Sequence, residues 1–348
     1  MKKTVLLPAL LLTALLAASC EKMLMVDDLP PTAANTFDYL WQQFDRQYSQ
    51  FDVKKVDWGE VYDTLRPRVR DGMPPDSLFA LCAAMLNTLN DGHVNLYTSF
   101  DVSRADSLYH DFYTRSGIDI NTVVLNYLGT GYHITGALAH SPLCGGRVIY
   151  VRYGSFGSSV SAAQLRTVIG TYPDAEGLIL DLRGNGGGAL LNVSNILSVM
   201  PSHGQKLYSS QIKSGPGHND FSQLADTYAP QVPPSDAYHR PVVVLVDRGS
   251  FSATSVFAIC TQAYENMLLM GDTTGGGLGL PSQGILPNGW IYRLPVTRTF
   301  ALDGRNYENG VPPDIPLRFD LRAAQTLGRD NIIDSACSLI LQAAFAHK

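Results

Sequence analysis

The sequence predicts an α/β protein in which a small helical domain precedes a core of alternating strands and helices. Between residues 37 and 91, apolar side chains recur at the spacing of amphipathic helices. From about residue 145 onward, short apolar strands alternate with helical segments. Strands that are apolar on both faces are typical of a sheet covered by helices on both sides, so we expect an α/β core in this part of the chain.

The composition is that of a globular protein and excludes one class of partner. Hydrophobic residues make up 45% of the 348 residues and charged residues 16%, which is enough for a substantial core. The formal net charge is -5, and no stretch rich in lysine or arginine occurs. Because nucleic-acid binding needs a basic surface, we expect no nucleic-acid partner.

The first twenty residues have the order of a secretory signal. Lys2 and Lys3 form a positive start, residues 5–16 form an apolar run too short for a comfortable membrane span, and small residues precede Cys20. The segment L-A-A-S-C resembles a bacterial lipoprotein processing site, which would make Cys20 the lipidated first residue of the mature chain. The alternative is an ordinary cleaved signal with a coincidental cysteine. We expect an exported protein, anchored by lipid to a bacterial cell membrane and facing the periplasm or the outer membrane.

Changes in composition and in the pattern of apolar residues divide the chain into five parts. The predicted signal covers residues 1–19 and is followed by a polar tether at residues 20–36. A helical cap domain covers residues 37–93, a small β-rich connection covers residues 94–144, and the α/β core covers residues 145–348. In the cap, Asp57 can cap the second helix. Pro74 and Pro75 break the chain, and Asp76 can cap the third helix.

Apolar runs and turn residues predict the elements that follow the cap. Asn288-Gly289 and Asp303-Gly304 are hairpin turn signals. We expect strands at residues 123–127, 148–153, 178–182, 242–246 and 267–270, and helices at residues 190–200, 253–264 and 330–345.

Four cysteines follow Cys20, namely Cys82, Cys144, Cys260 and Cys337. An exported protein can oxidise four cysteines in three pairings. Cys82 and Cys260 lie in helix-like apolar patterns, however, which favours buried free thiols. The sequence has no C-x-x-C pair and no cluster of histidine and cysteine, so we expect no metal and no cofactor.

A glycine-rich turn, D-L-R-G-N-G-G-G over residues 181–188, follows an apolar strand and precedes a helix. Glycines leave backbone N–H groups free to face an anion. The turn lacks the spacing of a dinucleotide fingerprint and the lysine of a phosphate-binding loop. The alternative interpretation is a tight connection between strand and helix.

Ser252 follows another apolar strand and lies where a helix begins. Free N–H groups at a helix start can hold an oxyanion, so a serine there can attack a carbonyl with help from the N–H of Ala253. This segment alone favours a plain N-cap serine, and Ser250 and Ser255 compete for the role. A serine nucleophile also needs a base, and His93, in D-G-H-V after the third helix, is the best placed of eight histidines.

Four motifs together resemble those of the C-terminal processing peptidase superfamily, and most closely its tricorn-core-like branch. They are L-N-D-G-H-V, the glycine-rich turn, G-S-F-S-A-T and Y-E-N-G-V-P-P-D, in the family's order. The resemblance spans residues 37 to about 316. It implies a crotonase/ClpP-like spiral core behind a helical cap, and a serine peptidase that acts on peptides or unfolded proteins.

The resemblance also implies a role for each matching residue. Ser252 matches the nucleophile, His93 the general base, and Glu308 the carboxylate that orients the relay. The oxyanion donors would be the N–H groups of Ala253 and of Gly186 or Gly187.

Two positions depart from the family pattern. The processing branch pairs its serine with a lysine, but the lysine position here is Gly277, and no lysine occurs between residues 213 and 348. A histidine base is therefore needed. The tricorn-like branch often has a serine before the histidine, where this chain has Gly92, so water or another side chain must bridge the relay. Fewer than ninety residues separate His93 from the glycine-rich turn, too few for a PDZ domain in addition to a core strand.

The sequence therefore predicts an exported serine endopeptidase or oligopeptidase that forms an acyl-enzyme on Ser252. Gly92 and the missing lysine leave one alternative open, a catalytically silent, peptide-binding lipoprotein of the same fold. A crotonase-type acyl-CoA enzyme would share the fold. The export signal disfavours it, because acyl-CoA is cytosolic.

Overall fold

The computed structural model describes residues 29–105 and 118–342. The signal predicted for residues 1–19, Cys20 and most of the predicted tether lie outside these ranges, as does the end of the last predicted helix. Within the described ranges, no helix combines the length and the apolar character that a membrane crossing requires.

The cap consists of helices that enclose their own apolar core. These are α1 Ala33–Gln47, the short α2 Phe51–Lys54, α3 Trp58–Leu65 and α4 Pro75–Asn87. Thr32 caps α1, so this helix begins inside the segment predicted as a tether. Asp57 caps α3 as predicted. The prediction that Asp76 caps α4 was wrong, because Pro75 is already the first helical residue, a position where the missing N–H of proline costs nothing.

Within the described residues, the strands form a seven-stranded main sheet and two three-stranded sheets. In chain order the strands are β1 Asn95–Tyr97, β2 His133–Thr135, β3 Leu138–Leu143, β4 Val148–Arg152, β5 Gly177–Asp181, β6 Lys206–Ile212, β7 Ala225–Tyr228, β8 Val242–Val246, β9 Met267–Gly271, β10 Pro281–Ile285, β11 Ile291–Pro295, β12 Thr297–Phe300 and β13 Ile315–Pro316. The main sheet has the order β13-β9-β8-β5-β4-β3-β2, in which β4, β5, β8, β9 and β13 run parallel and β2 and β3 are antiparallel.

Both faces of the main sheet are buried, which confirms the predicted α/β core. The remaining helices are α5 Ile120–Thr122, α6 Ala162–Thr171, α7 Leu190–Leu197, α8 Ala253–Cys260, α9 Leu321–Leu327 and α10 Asn331–Leu341. Along β8, Val244 packs in the core with side chains of α6, α7 and α8, whereas Val243 packs in the core with side chains of α10. Helix cover on both faces explains why every residue of β8 is apolar.

The strand predicted at residues 123–127 does not form. A π-helical segment, Val123–Leu128, continues from α5, whose start is capped by Asp119. Short apolar runs do not distinguish a strand from a buried helical segment by their pattern, and here the cap at Asp119 favours the helical conformation.

A hairpin from the core reaches into the cap. Strands β10 and β11 meet at the predicted Asn288-Gly289 turn, and β11 pairs with β1. Tyr292 and Leu294 of β11 lie in the apolar core of the cap. At Asp303-Gly304 the chain does turn, but no hairpin forms, because β12 pairs with β6 instead. The β1–β11 pairing therefore fixes the cap onto the core immediately beyond His93.

Candidate active site

Ser252 lies in a strained turn between β8 and α8. Its backbone has φ 58° and ψ −119°, and its N–H donates to the carbonyl of Gly276 at 2.9 Å. Such a conformation costs a non-glycine residue about 1–3 kcal/mol, and it is used where a sharp turn must present a nucleophile. The side chain makes no capping hydrogen bond, so the plain N-cap interpretation of Ser252 does not fit.

The two competing serines are bonded into the interior. Ser250 Oγ donates to the carbonyl of Leu182 at 2.8 Å, and Ser255 Oγ lies 2.9 Å from Thr274 Oγ1. Both serines are fully buried. Neither hydroxyl is available to a substrate.

His93 approaches Ser252 from the cap side. Its Nε2 lies 3.0 Å from Ser252 Oγ, and its backbone N–H donates to Asp91 Oδ1 at 2.8 Å. The ring is buried and packs against Phe251, with the ring centroids 4.8 Å apart. Burial lowers the pKa of His93 to about 4; the negative charge of Asp91 opposes this shift and the positive charge of Arg293 adds to it. The imidazole is thus neutral near pH 7 and able to accept a proton.

Glu308 lies on the other side of His93, together with Asp91. One carboxylate oxygen from Glu308, one from Asp91 and one ring nitrogen of His93 lie within 4.8 Å of one another. Glu308 Oε2 accepts a hydrogen bond from the N–H of Gly279 at 2.8 Å. Glu308 Oε1 and His93 Nδ1 are buried, and neither atom has a hydrogen-bond partner within residues 29–105 and 118–342. These are two adjacent groups of a relay whose polar atoms are not saturated.

The pKa of Glu308 is raised to about 8. Burial contributes most, the negative charge of Asp91 adds to the shift, and the positive charge of Lys54 opposes it. Glu308 therefore retains a proton at neutral pH. Asp91 has different hydrogen-bond partners, because its Oδ2 accepts a hydrogen bond from the Tyr48 hydroxyl at 2.8 Å. The oxygen and nitrogen atoms of Asp91, His93 and Glu308 are also close enough to hold a metal ion. Because His93 Nε2 is directed at Ser252, however, the arrangement suits proton transfer.

The glycine-rich turn lies against the Ser252 turn, as an oxyanion site requires. An added Cβ at Gly187 would lie 2.9 Å from the backbone nitrogen of Ala253. Of the two glycines that the sequence offered for this role, Gly186 and Gly187, the N–H of Gly187 already donates to Asn185 Oδ1 at 3.0 Å and is not free. Gly186 is exposed, and within the described residues its N–H has no acceptor. Gly186 and Ala253, the first residue of α8, are the available donors.

Phe251 fills the space that both departures from the family pattern leave. An added Cβ at Gly92 would lie 2.8 Å from Phe251 Cζ, and one at Gly277 would collide with the same ring. Neither the serine expected before His93 nor a lysine at residue 277 would fit beside this ring. The side chain that reaches the relay is instead Asp91, one residue before Gly92.

Sequence reasoning missed Asp91, Tyr48, Asn185 and Phe251. Asp91 carried a signal, since an aspartate two residues before a candidate base can accept the backbone N–H of that base. Phe251 carried none, because its role depends on glycines from two segments that are distant from each other in the chain.

A pocket of about 340 Å³ opens in front of these groups. Ser252, His93 and the glycine-rich turn form its reactive side. Its other walls are mainly apolar, with one charged side chain, and comprise Leu190, Val256, Leu278, Leu280, Pro281 and Arg293. A pocket of this kind suits a peptide side chain placed next to a carbonyl at Ser252.

Comparison with known proteins identifies related sequences and folds. The model of the family described as peptidase family S41 matches residues 147–317, and that of the tricorn protease C1 domain matches residues 31–87. Over 167 residues the chain is 28% identical to the carboxy-terminal processing protease CtpB of Bacillus subtilis (strain 168), which covers 42% of this chain and 32% of CtpB. The chain thus spans about a third of the length of that relative.

Solved structures resemble the whole described fold. A candidate peptidase from Parabacteroides merdae ATCC 43184 has a TM-score of 0.84 and 36% identity, with 89% of this chain and 97% of that chain covered. Mature CPAF complexed with lactacystin has a TM-score of 0.65 at 14% identity, with 89% and 99% covered. The second likeness shows the fold alone.

Proposed function

The chain belongs to peptidase family S41 and is a serine-type peptidase, and from this we propose that it is an exported endopeptidase or oligopeptidase with Ser252 as its nucleophile. The observation that carries the proposal is the 3.0 Å contact between Ser252 Oγ and His93 Nε2, in a pocket next to free backbone donors. The substrates would be peptides or unfolded proteins that can enter the pocket in extended form.

The first half of the reaction forms an acyl-enzyme. With its own proton on Nδ1, His93 accepts the Ser252 hydroxyl proton at Nε2 while Oγ attacks the peptide carbonyl. The N–H groups of Gly186 and Ala253 donate to the oxyanion that develops. A positioned base contributes about 10²–10⁴ in rate, and each oxyanion donor about 10²–10³.

The second half releases the products. His93 returns its proton to the leaving amine, and the new N-terminus departs. Water then attacks the acyl-enzyme with His93 again as the base, which regenerates the Ser252 hydroxyl. Glu308 stabilises the protonated imidazole best when it is ionised, so we expect the rate to rise with pH as Glu308 loses its proton near pH 8.

Covalent labelling tests the nucleophile. We expect a fluorophosphonate probe to label the wild-type protein and to leave Ser252→Ala unlabelled, with peptide cleavage lost in the same variant. Labelling of Ser252→Ala at the wild-type level would overturn the assignment. A folded wild type that binds peptides but takes up no probe would instead favour the silent peptide-binding protein.

Export and lipid anchoring are the remaining part of the proposal. They are supported by the positive start, the apolar run and the small residues before Cys20. Mass spectrometry of the mature N-terminus should find a lipid-modified Cys20, and Cys20→Ser should release the protein from the membrane fraction. A mature chain that begins elsewhere and carries no lipid would contradict this part alone.

A further inference from the structure

Arg293 projects from the cap–core hairpin into the pocket of Ser252. It lies in β11, opposite Asn95 of β1 and Gln283 of β10. Its neighbours Tyr292 and Leu294 are buried in the apolar core of the cap. Because side chains alternate along a strand, Arg293 points to the other face, where it lines the same pocket as Ser252 and His93.

The guanidinium of Arg293 has no partner among the described residues, although the side chain is only partly exposed. Three other cations near the site are engaged. Lys54 donates to Asn309 Oδ1 at 2.7 Å, Arg248 to the carbonyl of Thr274 at 2.8 Å, and Arg298 pairs with Asp52 at 2.8 Å. A guanidinium that lines a pocket and has no protein partner can offer its N–H donors to a ligand.

Resting on the proposed peptidase function, we propose that Arg293 is a specificity-determining residue that binds a carboxylate of the peptide substrate. The carboxylate belongs either to an acidic side chain close to the scissile bond or to the C-terminus of the peptide. Both sources present the same planar pair of oxygens, which a guanidinium can bind with two parallel hydrogen bonds.

The surroundings of Arg293 favour a substrate carboxylate over a protein partner. Glu308 and Asp91, the acidic groups of the relay, are buried, and within the described residues neither forms an ion pair with Arg293; Glu308 Oε2 is bonded to Gly279, and Asp91 to Tyr48 and the backbone of His93. The remaining pocket walls near Arg293 are largely apolar. Among the described residues that line this pocket, Arg293 is the one lysine or arginine, so a carboxylate that enters the pocket would be attracted to it.

Peptide profiling tests this inference with the full-length protein. A proteome-derived peptide library is digested by the wild type, by Arg293→Gln and by Arg293→Lys, and the cleaved bonds are identified by mass spectrometry. Two pairs of quenched fluorogenic peptides are then built on the best sequence. One pair has Glu or Gln at the position that shows the acidic preference, and the other has a free or an amidated C-terminus. Arg322→Gln, an exposed arginine on α9, is the matched control, and Ser252→Ala is the blank.

In one of the two pairs, we expect the wild type to cleave the peptide that carries the carboxylate (Glu, or the free C-terminus) faster than its neutral counterpart (Gln, or the amidated C-terminus). The ratio of the two kcat/KM values should be at least about ten, as a charge-assisted hydrogen bond allows. Arg293→Gln should abolish this ratio with the neutral peptide still cleaved, and Arg293→Lys should restore it in part. The pair that shows the effect identifies the source of the carboxylate. Equal cleavage of both members of each pair by the wild type, or a preference unchanged in Arg293→Gln, would overturn the inference. Absence of any cleavage above the Ser252→Ala blank would count against the proposed function instead.

Discussion

Two buried clusters of charged side chains flank the Ser252 turn, and they differ in how fully their polar atoms are bonded. In the first, Arg183 donates to Asp181 at 2.6 Å and to Asp330 at 2.8 Å, and Tyr150 donates to Asp181 at 2.7 Å. The second is the relay around His93, where Nδ1 of His93 and Oε1 of Glu308 have no hydrogen-bond partner in the part of the chain that the structure describes. The saturated cluster ties the glycine-rich turn to α10, whereas the unsaturated cluster lies where protons must move.

The same contrast appears in the pKa values of the two carboxylates. Burial would raise the pKa of Asp181, but the positive charges of Arg183 and Arg152 outweigh it and lower the pKa to about 2. Glu308 is equally buried but lies beside a second carboxylate, and its pKa is raised to about 8. The cation buried with Asp181 thus keeps that carboxylate charged, whereas Glu308, buried beside a second carboxylate, remains ready to exchange a proton.

Removing the buried cation is the most disruptive way to break this contrast. Arg183→Met would leave buried Asp330 without its cation, and buried Asp181 with only Arg152, whose Nη1 lies 3.9 Å from Asp181 Oδ1. We expect the free energy of unfolding to fall by about 3–5 kcal/mol, measured by urea denaturation.

The matched control is Arg147→Met, which removes a half-exposed ion pair with Glu176. A pair of this kind contributes about 0–1 kcal/mol. If Arg183→Met were as stable as Arg147→Met, the saturated cluster would not be what holds the glycine-rich turn.

Glu308→Gln removes the titrating group of the unsaturated cluster. The unfolded chain ionises Glu308 near pH 4.5 and the folded chain near pH 8, so wild-type stability should fall as the pH rises through this window. His93 acts in the opposite direction, because its lowered pKa makes stability rise between about pH 4 and pH 6.5. We therefore expect Glu308→Gln to be more stable than the wild type at pH 9, by a few kcal/mol.

Melting temperatures at pH 5 and pH 9 measure this effect. The advantage of Glu308→Gln should shrink at pH 5, where the folded wild type keeps its proton and the pH is close to the value near 4.5 at which the unfolded chain ionises. In kcat/KM, the variant should lack the rise in activity that the wild type shows near pH 8. If Glu308→Gln were less stable than the wild type at pH 9, the ionised Glu308 carboxylate would not be destabilising the folded protein.

The smallest expected effect is at Gly92. Gly92→Ala places a methyl group 2.8 Å from Phe251 Cζ and should cost about 1–3 kcal/mol of stability through overpacking. The displaced ring should also disturb His93, with which it is in contact. Phe251→Leu in the same chain should restore part of the lost stability and activity. Full activity of Gly92→Ala alone would show that Phe251 does not position the base.

Much of the fold could be predicted from the sequence because its elements carry local signals. The strand at residues 242–246 is uniformly apolar, the Asn288-Gly289 turn is a strong hairpin signal, and both were predicted at the observed positions. The error at residues 123–127 arose where an apolar run was short and its helical cap, Asp119, lay just outside it. Asp76 was misassigned because a proline can begin a helix as well as interrupt one.

The candidate site was predictable only in part. The motif order brought Ser252, His93 and Glu308 to attention, and the structure places them in one cluster. The unpaired state of Arg293 and the fit of Phe251 against glycines depend on pairings between residues far apart in the chain. Local patterns contain no information about such contacts, so these features emerge only from the folded structure.

The rate at which a fluorophosphonate modifies the protein tests the central claim most directly, namely that His93 activates Ser252. The adduct is mapped by peptide mass spectrometry in the wild type and in His93→Gln, at a pH where both are folded. We predict a single adduct on Ser252 and a rate at least about 10²-fold slower in His93→Gln, the lower end of what a general base supplies. An adduct on another residue, or an equal rate in the two proteins, would contradict the account.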